Sequence, residues 1–323
     1  ETGTIIAAIF IIFYTMLAGL VSVAYTDVAN GIIILISFII AIPIFLVKAG
    51  GLEGMAASFA EMGKDNHMNF WGVYSAMDVI NFCLPSFLLI MGDANMYQRF
   101  FASKDARGAK SATKTLIIAV LIAELMIIVA AWIASSMIPD AEVGKYVLIY
   151  ASHEFLPPFI GAIMMTTIVG IIISTADSYL LVPTTTLMRD IYLNYFNKSA
   201  NQKKIVFLSR LLVIILGLIA YVVSLGFAKS AGFFERALYA YTIYGAAITP
   251  SLVAALFWKG ATKEGAITSI LIGTLTTLLW KESSLIKNIV PIEIYGNMDE
   301  VLPAITFSVI SLIIVSLFTQ KKI

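Results

Sequence analysis

Four oxygen-bearing side chains, Ser174, Thr175, Asp177 and Ser178, stand together at residues 171–178, inside an otherwise apolar stretch. An ionised Asp near a bilayer centre costs roughly 2.5–3.5 kcal/mol on insertion scales, so it persists only with a partner or a function. Ser174, Asp177 and Ser178 are spaced i, i+3 and i+4, which puts their oxygens on one helix face. A row of hard oxygens there suits a small cation. No Lys, Arg or His falls in the middle of any apolar run, so no buried salt bridge is expected for Asp177. Its options are protonation, a bound cation, or hydrogen bonds alone. The neighbouring hydroxyls favour a cation, although Ser and Thr also bond back to their own helix carbonyls. Asp27 follows Tyr25-Thr26 and is expected to begin a second apolar span. An Asp there either caps free N–H groups or contributes to an ion site. Pro183, six residues past Asp177, removes a backbone donor and is expected to bend or loosen its helix. Kinked helices around midplane sites are a transporter feature.

The elements that must hold these groups are transmembrane helices. Of 323 residues, 60% are hydrophobic and 13% charged, with mean hydropathy +0.93. Apolar runs of about 20 residues, each enough to cross roughly 30 Å of hydrocarbon, recur along the chain. Backbone groups in lipid must be satisfied internally, so the expected fold is all-α. Nine spans are expected, at 4–25, 27–48, 72–98, 112–138, 158–188, 205–227, 236–258, 264–280 and 301–319. Segment 145–156 is too short and polar to cross and reads as a surface helix. The whole of 1–323 reads as one transmembrane domain. The chain opens with Glu1 and enters an apolar run at once, which suggests a fragment.

Most of the 21 basic residues fall in alternate loops. Arg99, Lys104, Arg107, Lys110 and Lys114 form one group, and Arg189, Lys198, Lys203, Lys204 and Arg210 the next. Lys259, Lys263, Lys321 and Lys322 complete the set. Acids such as Glu53, Glu61, Asp140, Glu293 and Asp299 lie in the opposite loops. The bias puts the N-terminus outside and the C-terminus in the cytoplasm, in a multi-pass inner-membrane protein. A net charge of +1 implies no nucleic-acid partner. The lone Cys83 excludes an internal disulfide and argues against a thiolate metal site. There is no P-loop, no metal-spaced His pair (His67 and His153 lie in outward loops) and no nucleophile–base arrangement, so no enzyme is expected.

Other polar positions carry less. Glu124 reads as protonated or hydrogen-bonded between helices. Asp78 and Asp93 flank the third span, and an ion pair of Asp93 with Arg99 is the default there. Pro85-Ser86 interrupts that span near its middle. Tyr239, Tyr241 and Tyr244 suit packing or an interface belt more than a ligand box. Gly245 to Pro250 reads as a close-packing segment followed by a kink.

Together these residues carry a family likeness. Ser174-Thr-Ala-Asp-Ser-Tyr-Leu-Leu, followed by Arg189-Asp-Ile-Tyr192, resembles the eighth core helix of the sodium/solute symporter family. Tyr25-Thr-Asp27, Lys48-Ala-Gly-Gly51, Gln98-Arg99 with Ala102-Ser-Lys104, Phe257-Trp-Lys and Gly265-Ala266 resemble other family segments, in order and over nearly the whole chain. The spacing from Thr249-Pro250 to Trp258 looks closest to the proline-transporter branch. The resemblance implies an inverted-repeat fold like that of the leucine transporter, with core helices four to ten, two extra helices, and core helices one to three absent. It implies Na+ as the co-transported ion. One sodium site would use the Ser174 and Thr175 hydroxyls and the Ile171 carbonyl. Another would use Asp27, Ser174, Asp177 and Ser178. Asp177 departs from the hydroxyl or small residue usual at its position; a second carboxylate would tighten cation binding or let a proton substitute. The pocket stretch at Ser86, Phe87 and Leu89, with Tyr241, is the candidate substrate wall. It lacks the Asn and Tyr of the sugar carriers and the Trp of the proline carriers.

The expected function is sodium-coupled import of a small polar solute (an amino acid, sugar acid, vitamin or similar) by alternating access in the lipid bilayer. The alternatives are a proton-coupled carrier using Asp177 and a transporter-like membrane sensor module.

Overall fold

The structure, a computed structural model, describes residues 2–17, 19–228, 233–283, 286, 291 and 297–320. Glu293, Lys321 and Lys322, which contribute to the charge asymmetry, lie outside these residues. Among the described residues every regular element is helical. Seven helices among the described residues are long and apolar enough to cross a membrane. Two expected spans fall short of that standard: α1 (Thr2–Leu17), with 16 residues, and α12 (Lys263–Glu282), which is rich in Thr and Gly. The chain divides into two compact units, Glu1–Gly72 with Gln98–Leu225, and Val73–Tyr97 with Gly226–Ile323.

The first unit is built on α2 (Leu20–Lys48), α6 (Ala106–Ser135) and α9 (Pro158–Thr186). α1, α3 (Gly51–Glu61), α8 (Val147–Glu154) and α10 (Gln202–Ala228) accompany them; α7 (Ala141–Gly144) is a single turn. Segment 145–156 is thus helical from Val147, and it buries Ala151 and Ser152. α2 and α9 run antiparallel: Asp27 meets Ser174, Asn30 lies beside Gly170, and Ser37 meets Thr167. Asp27, Asn30 and Ser37 follow helical spacing, so one stripe of α2 faces α9. Past Ser37 the unit closes on an apolar cluster that includes Phe38, Phe45, Met55, Phe59, Ile133 and Met164. His67 stacks on Phe59, with ring centroids 5.2 Å apart.

The second unit packs α4 (Ala76–Gly92), α11 (Phe233–Phe257), α12 and α13 (Val301–Thr319). Its helices approach through small residues, as membrane helices do where no hydrophobic force separates them from lipid. A Cβ at Gly245 would stand 2.7 Å from Leu88 Cβ, and one at Gly273 2.6 Å from the Ala246 carbonyl oxygen. The Thr249 hydroxyl donates to the Leu88 carbonyl at 2.6 Å, and Ser269 and Ser308 share a hydrogen bond of 2.8 Å. The segment Gly245–Pro250 packs closely as expected, and α11 runs on through Pro250 to Phe257. Pro85 likewise lies buried inside an unbroken α4, correcting the expected interruption. The break in this region falls later, where Asp93 takes an extended ψ of 109° before α5 (Ala94–Phe101). Asp78 forms a capping box with Ser75, accepting from its N–H at 2.8 Å and its hydroxyl at 2.7 Å. That satisfies orphan groups at the helix start.

Candidate ion site

Asp27 does not begin a helix. α2 starts at Leu20, after Gly19 with extended backbone (φ −130°, ψ 172°). This replaces the expected boundary between 25 and 27. Gly19 breaks the chain because glycine loses most conformational freedom in a helix, while Tyr25, Thr26 and Asp27 all sit in helical register. The Thr26 hydroxyl donates back to the Val23 carbonyl at 2.9 Å and accepts from Tyr14 of α1 at 2.8 Å. Asp27 is therefore about two turns inside α2, where no free N–H groups remain for it to cap. Its side chain is directed at α9 instead.

Three groups converge on that carboxylate and its neighbours. The Ser174 hydroxyl donates to Asp27 Oδ1. Arg99 Nη2 donates to Asp27 Oδ2 at 2.7 Å and to Ser178 Oγ at 2.9 Å. The Ser178 hydroxyl in turn donates to Asp177 Oδ1 at 3.4 Å. Asp177 is only 1% exposed, and it lies within electrostatic reach of both Asp27 and Arg99. The Asp27 side chain is 16% exposed and that of Arg99 36%, so the cluster is most shielded on α9, where Asp177 lies, and most accessible at the arginine.

Arg99 corrects one expectation. It forms an ion pair with Asp27 of α2, a partner that spacing along the chain does not suggest, while Asp93 Oδ1 accepts from the Asn95 N–H at 2.9 Å. It also brings a basic group into hydrogen-bonded connection with Ser178 and thus Asp177, where none is expected from the sequence. The motif Gln98-Arg99 is visible there, but a basic residue leading a run of loop cations reads as an orientation signal. A charged side chain long enough to reach back toward the acids is the available clue.

Ile171 and Thr175 lie apart from this cluster. The Thr175 hydroxyl is exposed and donates to the Ile171 carbonyl at 2.9 Å. At 100° per residue it stands about 100° around the helix from Ser174. The structure thus brings together Asp27, Ser174, Asp177 and Ser178, and leaves Ile171 and Thr175 as a separate pair on a neighbouring flank. Beyond Pro183 the helix does not stop: it passes into a π-helical segment, Leu187–Phe196. α9 itself runs through Pro183 to Thr186, and the π-helical stretch begins four residues after the proline, with the Leu187 N–H directed at the Pro183 and Thr184 carbonyls.

The substrate candidates form no such constellation. Phe87 is 59% exposed, on a different face of α4 from buried Leu88. Ser86 and Leu89 are half-buried, and Tyr241 stands one turn before Gly245 on α11. Tyr244 plays a structural part. Its hydroxyl donates to the Gly92 carbonyl and accepts from the Ala94 N–H, both at 3.2 Å, bridging the break between α4 and α5. Glu124 is exposed on α6 and, among the described residues, makes no interhelical hydrogen bond.

These helices and this buried cluster define a multi-pass membrane protein with a charged site between two of its helices. The chain belongs to the sodium:solute symporter family, whose profile matches residues 1–273. It is 27% identical to the high-affinity proline transporter PutP of Bacillus subtilis (strain 168), over 99% of this chain and 66% of that protein. It is 25% identical to the osmoregulated proline transporter OpuE of the same organism, over 99% and 64%. Against sodium/proline symporter 2 of Staphylococcus saprophyticus the identity is 26%, over 99% and 62%. The chain therefore spans less than two thirds of the length of these curated relatives. Among solved structures it resembles a Na+-coupled sialic acid symporter in a substrate-bound outward-open state. The TM-score is 0.70 at 16% identity, over 98% of this chain and 66% of that one, a likeness of fold.

Proposed function

We propose that this chain is the greater part of a sodium-coupled symporter that imports a small polar solute by alternating access, its two units serving one transporter domain. The observation that carries this reading is the meeting of Asp27 with Ser174 across the α2–α9 seam, with Ser178 joined to the same carboxylate through Arg99 and buried Asp177 beside them. Carboxylate and hydroxyl oxygens from two helices can replace the hydration shell of a small cation. Removing one helix from the other dismantles the site. That dependence on helix position is what couples ion binding to a change of access. Each sodium entering across 100 mV supplies about 2.3 kcal/mol before its concentration gradient is counted. Ile171 and Thr175 contribute to a second sodium site. The basic loops put the N-terminus outside and the C-terminus in the cytoplasm.

The curated relatives are named for proline and the solved neighbour for sialic acid, so amino acids and sugar acids head the solutes to screen. The test is uptake by the full-length protein in sodium against choline medium. Accumulation that needs sodium is expected. A second reading, proton coupling through Asp177, is favoured by one observation: among the described residues the buried Asp177 carboxylate is bonded only by Ser178 and makes no ion pair of its own, while Arg99 is engaged with Asp27. Uptake driven by a pH gradient without sodium would establish that reading in place of the first.

A further inference from the structure

We propose that Arg99 is an internal cation that occupies the ion site in this state, and that sodium binds at Asp27 only as Arg99 leaves. This rests on the reading of Asp27, Ser174 and Ser178 as ion ligands. Arg99 Nη2 directs its hydrogens at Asp27 Oδ2 and Ser178 Oγ, 2.7 and 2.9 Å away. Ser174 gives its proton to the other Asp27 oxygen. One acceptor position on each Asp27 oxygen and one on Ser178 is thus already taken by a donor. A hard cation holds its oxygens at roughly 2.3–2.6 Å. Sodium drawn to Asp27 Oδ2 and Ser178 would meet a guanidinium of like charge held on the same two oxygens. Occupancy by one therefore disfavours occupancy by the other.

The exchange has a physical route. Arg99 sits on α5, a helix of 8 residues that buries none of its side chains, and its own side chain is 36% exposed, so it can leave Asp27 without unpacking a core. Arginine stays charged at every working pH, so the displacement is driven by sodium concentration and by helix position. A transported ion must bind well enough to enter and weakly enough to leave. Arg99 supplies the weakening: it returns to Asp27 as sodium departs and saves the carboxylate from being left bare in a low-dielectric site. Because coupling is reciprocal, anything that holds α5 away from α9 tightens sodium binding.

The experiment uses the full-length protein in lipid nanodiscs, with sodium binding read by calorimetry for wild type, R99Q, R99K and D27N. Removing the competitor should lower the half-saturating sodium concentration of R99Q roughly tenfold, a factor equal to about 1.4 kcal/mol. R99K keeps a cation and should stay near wild type. A spin-label pair at Phe101 and Tyr195, both exposed, in a cysteine-free but otherwise wild-type background, should lengthen its distance when sodium is added. If R99Q binds sodium no more tightly than wild type while D27N loses sodium binding, or if the label distance ignores sodium, Arg99 is not a competitor. If D27N binds sodium as wild type does, the ion-site reading itself fails. The label measurement needs no Arg99 variant, so a misfolded R99Q does not shelter the proposal.

Discussion

Each unit of this protein holds a shielded acid paired with a base, and the two pairs are built differently. In the first unit Arg99 meets Asp27 at 2.7 Å, while Ser174 reaches the same carboxylate from α9 and Ser178 meets the guanidinium. In the second, Lys281 stands 3.8 Å from Glu300, which is 5% exposed just before the start of α13. Among the described residues no side-chain hydroxyl converges on Glu300. Serines are plentiful there, but Ser269 and Ser308 bond to each other. A shielded acid is therefore not in itself an ion site. What distinguishes the first pair is that hydroxyls of another helix are aimed at the acid and its base and not at their own backbone. Thr175, bonded to Ile171, and Ser37, bonded to Ile33 as well as to Thr167, show the ordinary alternative.

The largest expected effect breaks this contrast outright. D27N removes the charge that any cation at the α2–α9 seam needs. Charge-assisted bonds are worth roughly 1.5–3 kcal/mol each, so the sodium concentration for half-maximal uptake should rise about a hundredfold or uptake should cease. E300Q should leave that concentration where it was. A sodium requirement that moves with Glu300 and not with Asp27 would invert the assignment. Next in size is S174A, which deletes one neutral ligand; sodium half-saturation should rise roughly tenfold. S37A is its control, on the same seam. Thr167 keeps its bond to the Ile163 carbonyl at 2.9 Å. The loss should therefore be near ~0.6 kcal/mol of stability, the average for interhelical hydrogen bonds in membranes. Sodium dependence should be unchanged. Thermal unfolding and uptake measured on both variants decide between a ligand and a packing hydroxyl.

Much of the α9 half of the site is legible in the sequence, because a polar residue inside a long apolar run has no cheap explanation. Ser174, Asp177 and Ser178 stand out on that ground alone. The other half is harder to read. Asp27 is 147 residues from Ser174 in the chain, and its meaning depends on one helix boundary. Gly19, lying in an apolar run, gives no pattern change to mark the break, so Asp27 looks like a helix start. The family likeness pairs the two segments where local physics leaves capping open. Arg99 escapes notice for another reason. Loop cations serve topology, and only packing shows which one turns back. The helices of the second unit are legible from hydropathy, apart from the break at Asp93, which the Pro85 signal misplaces by about two turns.

The smallest expected effect sharpens the contrast from the other side. Burial raises the Glu300 carboxyl above its ordinary value of 4.5, against lowering by its backbone hydrogen bond and by Lys281. Burial raises neighbouring Asp299 from 3.8 in the same way. An acid whose folded-state value is raised binds its proton more readily folded than unfolded. Its stabilising contribution is then fully present below the unfolded value and is lost as pH rises through the folded one. Thermal stability should accordingly fall as pH climbs from about 4.5 toward neutrality, and E300Q should flatten that slope over the same window. If Lys281 were a strong partner the sign would reverse, since a well-paired carboxylate is stabilised in its charged form. A separation of 3.8 Å from a lysine that is 42% exposed argues for the weaker pair. A slope of the opposite sign, abolished by K281M, would mean that the second unit also relies on a working ion pair. The difference between the two regions would then rest on hydroxyl geometry alone.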